Sequence, residues 1–161
     1  MNNRLSSSDI RDYIGRHLVD VFDTMLSSKA APAAEVDPSQ FAARITGSVG
    51  FAGETVTGSV YLHLPGALAG QATATMLGMT PPEAPGDGDV NDVVGEVTNM
   101  LGGGLKSSLC DTGAKCALTA PAIIRGDAFT IVPSEGVERI QLGFDCGSHH
   151  GMIEIHIKFI G

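Results

Sequence analysis

The spacing of apolar residues in this chain switches between two periods, and the switches limit what it can fold into. From Ile10 through Tyr13, Ile14, His17, Leu18, Val21, Phe22, Met25 and Leu26 they recur at three- and four-residue steps, which predicts an amphipathic helix over about 8–27. Ser8 or Asp9 is the expected N-cap, and His17 falls inside the stripe as a half-buried packing residue. Residues 28–39, rich in Ala, Pro and Ser, read as a connector. From Gln40 the period drops to two. Ala43, Ile45, Gly47, Val49 and Phe51 alternate with Ala42, Arg44, Thr46, Ser48 and Gly50, and beyond a turn at Ala52 and Gly53 Val56, Gly58, Val60, Leu62 and Leu64 alternate with Thr55, Thr57, Ser59, Tyr61 and His63. That pattern predicts an antiparallel hairpin.

The longer period then returns. Pro65 suits the first turn of a helix to about Leu77, with Leu68, Ala72, Met76 and Leu77 inward. The Pro- and Gly-rich run 79–88 reads as a loop, and Asp89 as the N-cap of a third helix over about 89–111. Strands are expected at Cys116 to Ile124 (interrupted by Pro121), Ala128 to Val132, Val137 to Cys146 and Met152 to Ile160. In the last of these Ile153, Ile155, Ile157 and Phe159 alternate with Glu154, His156 and Lys158, so one side of the sheet is expected to be wet. The whole is an α+β arrangement, helices packed on an antiparallel sheet, read as a single domain over 1–161.

Charge and composition remove several function classes. A net charge of -8 with scattered Lys and Arg offers no basic stripe for nucleic acid. No apolar run approaches the roughly 18 residues of a membrane span, and the first residues carry no signal-peptide pattern, so a cytoplasmic protein is expected. Three cysteines, Cys110, Cys116 and Cys146, without C-x-x-C spacing argue against a disulfide framework or structural zinc. His149, His150, Glu154 and His156 lack the closing ligands of a tetrahedral site, and the histidine pair reads as an exposed turn. Neither a phosphate-binding G-x-x-x-x-G-K-[ST] nor a G-x-S-x-G elbow is present.

The second long helix carries the remaining signal. Its apolar stripe leaves Asp92, Glu96, Asn99, Gly103 and Lys106 on the opposite face, so a carboxylate and an amide three residues apart project side by side. Gly102, Gly103 and Gly104 lie inside the same helix at about 1 kcal/mol each relative to alanine. Such a cost suggests that something approaches the backbone closely there.

The string Gly95 to Lys106, G-E-V-T-N-M-L-G-G-G-L-K, resembles the E-x-x-N-M signature of the CheC, CheX and FliY phosphatases of bacterial chemotaxis, through Glu96, Asn99, Met100, Gly102 and Gly103. Leu118 to Gly126, L-T-A-P-A-I-I-R-G, is similar to the Thr-x-Pro strand that follows the motif helix in that family. Only one E-x-x-N is present, so the chain looks most like the single-motif CheX members rather than CheC.

This resemblance implies a CheX-like fold and an enzyme that hydrolyses the aspartyl phosphate of a CheY-like response-regulator receiver domain. It implies catalytic roles for Asn99, holding the attacking water, and Glu96, pairing with a receiver lysine. Asp92, Gly102, Gly103 and Lys106 would then contact the partner, with both glycines keeping the exposed face free of bulk. No cofactor of its own is expected, since the receiver brings Mg2+, and a homodimer formed through the sheet is implied. Two other readings share the helix. A non-catalytic adaptor would bind the phosphorylated receiver without turnover, and a dimeric structural module related to flagellar switch proteins would show no phosphorylation-dependent binding.

Overall fold

The computed structural model of the chain describes residues 4–161. Helix α1 (Ser7–Leu26) is capped by Ser6, upstream of the expected Ser8 or Asp9. The Ser6 hydroxyl accepts from the Asp9 N–H at 3.1 Å while the Asp9 carboxylate accepts from the Ser6 N–H at 2.9 Å. This reciprocal box satisfies two otherwise unpaired donors, which fixes the start of the helix. Helices α2 (Gly66–Met76) and α3 (Asp87–Asp111) complete the helical layer.

Among the described residues seven strands form one antiparallel sheet: β1 (Ala30–Ala33), β2 (Ile45–Ala52), β3 (Val56–Leu64), β4 (Ala117–Leu118), β5 (Ala122–Arg125), β6 (Glu138–Cys146) and β7 (His149–Phe159). Their order is β1-β6-β7-β3-β2-β4, with β5 also on β2. The hairpin register pairs Ile45 with Leu64, Gly47 with Leu62 and Val49 with Val60. The same face continues through Ile153, Ile155 and Ile157 of β7 to Ile140 and Leu142 of β6. These apolar residues and the buried stripes of α1 and α3 make one core. Helices on an antiparallel sheet are thus what the two periods dictated.

Several local expectations are corrected. Part of the 28–39 connector is strand β1, pairing Ala30–Ala33 with Gly143–Cys146 at a sheet edge, where Pro32 is tolerated because one side needs no ladder donor. Met76 and Leu77 are exposed, at 39% and 47%; the inward residues of α2 are Leu68, Ala69, Ala72 and Thr73. Strand β7 begins at His149, so His149 and His150 lie in its first pairs, opposite Cys146 and Asp145, rather than in a turn. Residues 128–132 do not form a strand, because Arg44 claims this segment. Its guanidinium lies 3.6 Å from the Phe129 ring centroid and donates to the carbonyls of Phe129 and Gly126.

The expectation of a wet sheet face also fails at its centre. Arg44, Thr46, His63, Glu154 and His156 are all buried, with Glu154 only 1% exposed. Alternation gave the right direction for these side chains but could not show that the chain folds back over them. Residues 129–131 and Asp37-Pro38 line a cavity of only about 20 Å³ above the network. Beneath it His63 Nε2 lies 3.1 Å from Glu154 Oε1, while His156 Nε2 and Arg139 Nε lie 2.6 and 2.9 Å from Oε2. The Thr46 hydroxyl, 2.9 Å from His63 Nδ1, completes the chain. Burial alone would raise the Glu154 carboxyl, but hydrogen bonds from His63, His156 and Arg139 outweigh it and hold its pKa at about 2.

A carboxylate held below its ordinary 4.5 stabilises the fold fully above that pH and loses the contribution as pH falls toward about 2. Removing the charge strands its partners under the loop. We therefore expect Glu154→Gln to cost on the order of 3–5 kcal/mol in urea unfolding at pH 7. The gap between mutant and wild type should narrow at pH 3.

Candidate functional site

Helix α3 starts at Asp87 with Gly86 as N-cap, so Asp89 lies inside the first turn and is not the cap. Asp87 and Asp89 both lie in the first turn, where the positive end of the helix favours a carboxylate. Arg125, at the end of β5, ties this terminus down: its Nε donates to Asn91 Oδ1 at 2.9 Å and its NH2 to the Asp87 carbonyl at 3.2 Å. The same guanidinium is 3.5 Å from the Asp87 carboxylate.

Of the stripe that the spacing predicts, Val90, Val93, Val94, Val97, Leu101, Leu105 and Leu109 are buried and Met100 is only half-buried, while Gly95, Thr98 and Gly102 join the buried side. Against β2 the helix comes very close. A Cβ built on Gly102 would lie 2.6 Å from Val49 Cγ1, and one on Gly47 of β2 would overlap the Thr98 side chain. Gly102 is thus buried against the sheet, which corrects the expectation that it lies on the exposed face. Gly103 has nothing within 4 Å of its Cβ position and does belong to that face. Gly104 points at α1, where a Cβ would overlap the His17 ring, and His17 Nε2 is 2.9 Å from the Met100 carbonyl. The three glycines serve three directions. One period could not separate them from sequence.

With the opposite side held in this way, Asp92 and Glu96 are exposed and Asn99, Gly103 and Lys106 partly exposed. Among the described residues neither Glu96 nor Asn99 has a side-chain hydrogen bond or ion pair, although one turn separates them and Cβ atoms at that spacing lie about 5–6 Å apart. A free carboxylate and a free amide therefore stand side by side on a rigid helix, available to a partner.

Thr119 and Pro121 form the rim. The Thr119 N–H donates to the Gly50 carbonyl at 2.8 Å and its hydroxyl accepts from the Gly50 N–H at 2.9 Å, keeping the edge paired where β4 gives way to β5. Pro121 then lies 3.8 Å from the Cβ position of Gly95, next to Glu96. The Thr-x-Pro segment is therefore a wall beside the exposed face.

The other sequence candidates do not converge on this face. His150 pairs with Asp145 on a distant hairpin, and Glu154 and His156 belong to the network under the 129–131 loop. Among the described residues no group of three or more His, Cys, Asp or Glu is placed to hold a metal ion. Cys110, Cys116 and Cys146 are free thiols, and burial pushes those of Cys116 and Cys146 above their ordinary pKa. Among the described residues no helix is long and apolar enough to cross a membrane.

Comparison with known proteins adds a family. Residues 45–145, which include the hairpin, α3 and the Thr-x-Pro rim, match the family described as chemotaxis phosphatase CheX. A chemotaxis protein CheX from Vibrio vulnificus is 26% identical with a TM-score of 0.80, covering 96% of this chain and 100% of its own. A CheC-like superfamily protein from Shewanella sp. PV-4 is 28% identical with a TM-score of 0.78, covering 93% and 97%. The CheX–CheY–BeF3–Mg2+ complex from Borrelia burgdorferi shares the fold at 18% identity and a TM-score of 0.73, covering 96% and 99%. No curated protein matches the chain.

The glycine directions give opposite mutational signs. Gly102→Ala should destabilise by about 1–3 kcal/mol because Val49 cannot withdraw from a packed strand. Gly103→Ala should stabilise by about 1 kcal/mol, since it adds helix propensity in open space. Thermal unfolding of the two variants beside wild type reads both.

Proposed function

The chain belongs to the CheX family of chemotaxis phosphatases, and on that premise we propose that it hydrolyses the aspartyl phosphate of a CheY-like receiver domain through Asn99 and Glu96. The observation that carries the reading is the unpartnered Glu96–Asn99 pair on the accessible side of α3. The Borrelia burgdorferi complex, in which a protein of this fold is found with CheY, BeF3 and Mg2+, supports a receiver as the partner.

The chemistry suits an amide. Hydrolysis needs one water in line with the scissile P–O bond; its oxygen bonds to phosphorus, the bond to the aspartyl oxygen breaks, and the aspartate carboxylate and inorganic phosphate are left. Mg2+ held by the receiver would neutralise charge on the phosphoryl oxygens. Asn99 has a donor and an acceptor at the end of one short side chain and carries no charge, so it can orient that water without exchanging protons. Glu96, one turn away, would pair with a cation of the receiver and set how the helix seats. Asp92, Gly103 and Lys106 extend the contact on either side, and Pro121 limits the approach from the sheet edge.

Two further features belong to this reading. A homodimer formed through the sheet fits its edge strands, β1 on one side and β4 with β5 on the other. A cytoplasmic location follows from a receiver-domain partner.

Loss of aspartyl phosphate from a panel of receivers tests the reading. Wild type should accelerate the decay of at least one, and Asn99→Ala should remove about 3 kcal/mol of that effect, 10²-fold or more in kcat, with little change in affinity. Glu96→Ala should chiefly raise KM. Binding of a phosphorylated receiver without accelerated decay would instead make the chain an adaptor.

A further inference from the structure

His17 and Gly104 meet across the α1–α3 interface in a way that neither packing nor the Glu96–Asn99 pair requires. A helix carbonyl already accepts the N–H four residues on and has a second lone pair left. His17 Nε2 lies 2.9 Å from the Met100 carbonyl, the backbone group directly after Asn99. A carbonyl only accepts, so Nε2 carries the proton and donates it. To reach that oxygen the imidazole must occupy the space a side chain at 104 would fill, and only glycine leaves it open. Tyr13 stacks on the ring at 6.0 Å and 21°, one turn earlier on α1, and holds its plane.

This contact adds a directed bond to a helix that packing already holds. Thr98 and Gly102 set the depth of α3 on β2, and Arg125 ties down its N-terminus. The His17 bond reaches α3 from the α1 side, one residue from Asn99 and nearer to it than the Arg125 tether. A group that orients water must keep its direction within about 10–20°.

We propose that His17 is a positioning residue for the dephosphorylation reaction, aiming the Asn99 amide by donating to the Met100 carbonyl across a gap that Gly104 keeps open. The proposal rests on the role given to Asn99 above. It assigns His17 no contact with the receiver or with the attacking water.

Two variants separate positioning from packing. His17→Leu keeps apolar bulk and loses the donor, whereas His17→Gln keeps an N–H at similar reach. With a receiver as substrate, His17→Leu should lower kcat about 10-fold. Its affinity for a beryllofluoride-activated receiver should stay within about 2-fold of wild type. His17→Gln should recover most of the rate. Unchanged kcat in His17→Leu would overturn the proposal, as would a His17→Gln no faster than His17→Leu at equal thermal stability. A second readout needs no receiver: the side-chain amide NMR signals of Asn99 should shift in His17→Leu and return in His17→Gln, and signals that stay put would overturn the proposal. If wild type accelerates no receiver, the functional reading falls, while the Asn99 signals still decide whether His17 sets that side chain.

Discussion

The close approach of α3 to β2 is the contact on which the rest of the arrangement depends. It exists because two positions carry no side chain: Gly47 on the strand, beneath Thr98, and Gly102 on the helix, beneath Val49. A helix with ordinary side chains at these positions would ride higher on the sheet. Interiors are packed too densely to absorb such a shift without moving neighbours. The helix accepts the propensity cost of glycine in its middle, and what results is a backbone held against a sheet at a defined depth. The exposed side of that helix inherits the rigidity. Among the described residues Asn99 and Glu96 have no side-chain partners of their own, the state a pre-organised site requires.

A second constraint works from the far face of the sheet. Glu154 lies at its centre, opposite Tyr61 on β3 and Gln141 on β6, and gathers His63, His156 and Arg139 under a loop secured by Arg44. Burying a carboxylate is costly unless every lone pair is answered, and here three donors answer it. The sheet is thereby covered on both sides at its middle, by helices on one and by the Arg44-held 129–131 loop on the other. Arg125 and the Thr119–Gly50 pair then fasten α3 and the rim at the β4–β5 edge.

Much of this was legible in the sequence, and the misses have physical causes. Period alone located α1, the β2–β3 hairpin, α3 and both C-terminal strands, because each buries one face and must repeat in register with it. The E-x-x-N-M string and the Thr-x-Pro segment identified the family. Alternation placed Glu154 and His156 on the non-helical face but could not reveal their cover, since the covering segment is held by a long-range Arg44 contact. Residues 128–132 look like a strand for the same reason: their β-propensity is real, and a buried arginine overrides it. The glycine run signalled close approach without saying from which side. His17 looked like stripe filler because its partner, the Met100 carbonyl, lies 83 positions away and carries no sequence signal.

The central claim is that the α3 face bearing Asn99 is where a phosphorylated receiver seats. Backbone and side-chain amide shifts of the full chain, recorded as a receiver activated with beryllofluoride and Mg2+ is added, address it most directly. The account predicts changes concentrated on Asp92, Glu96, Asn99, Gly103 and Lys106, with the Thr119–Pro121 rim beside them and little change on β1 or α2. Changes centred elsewhere, with the Asn99 side-chain amide unmoved, would contradict it.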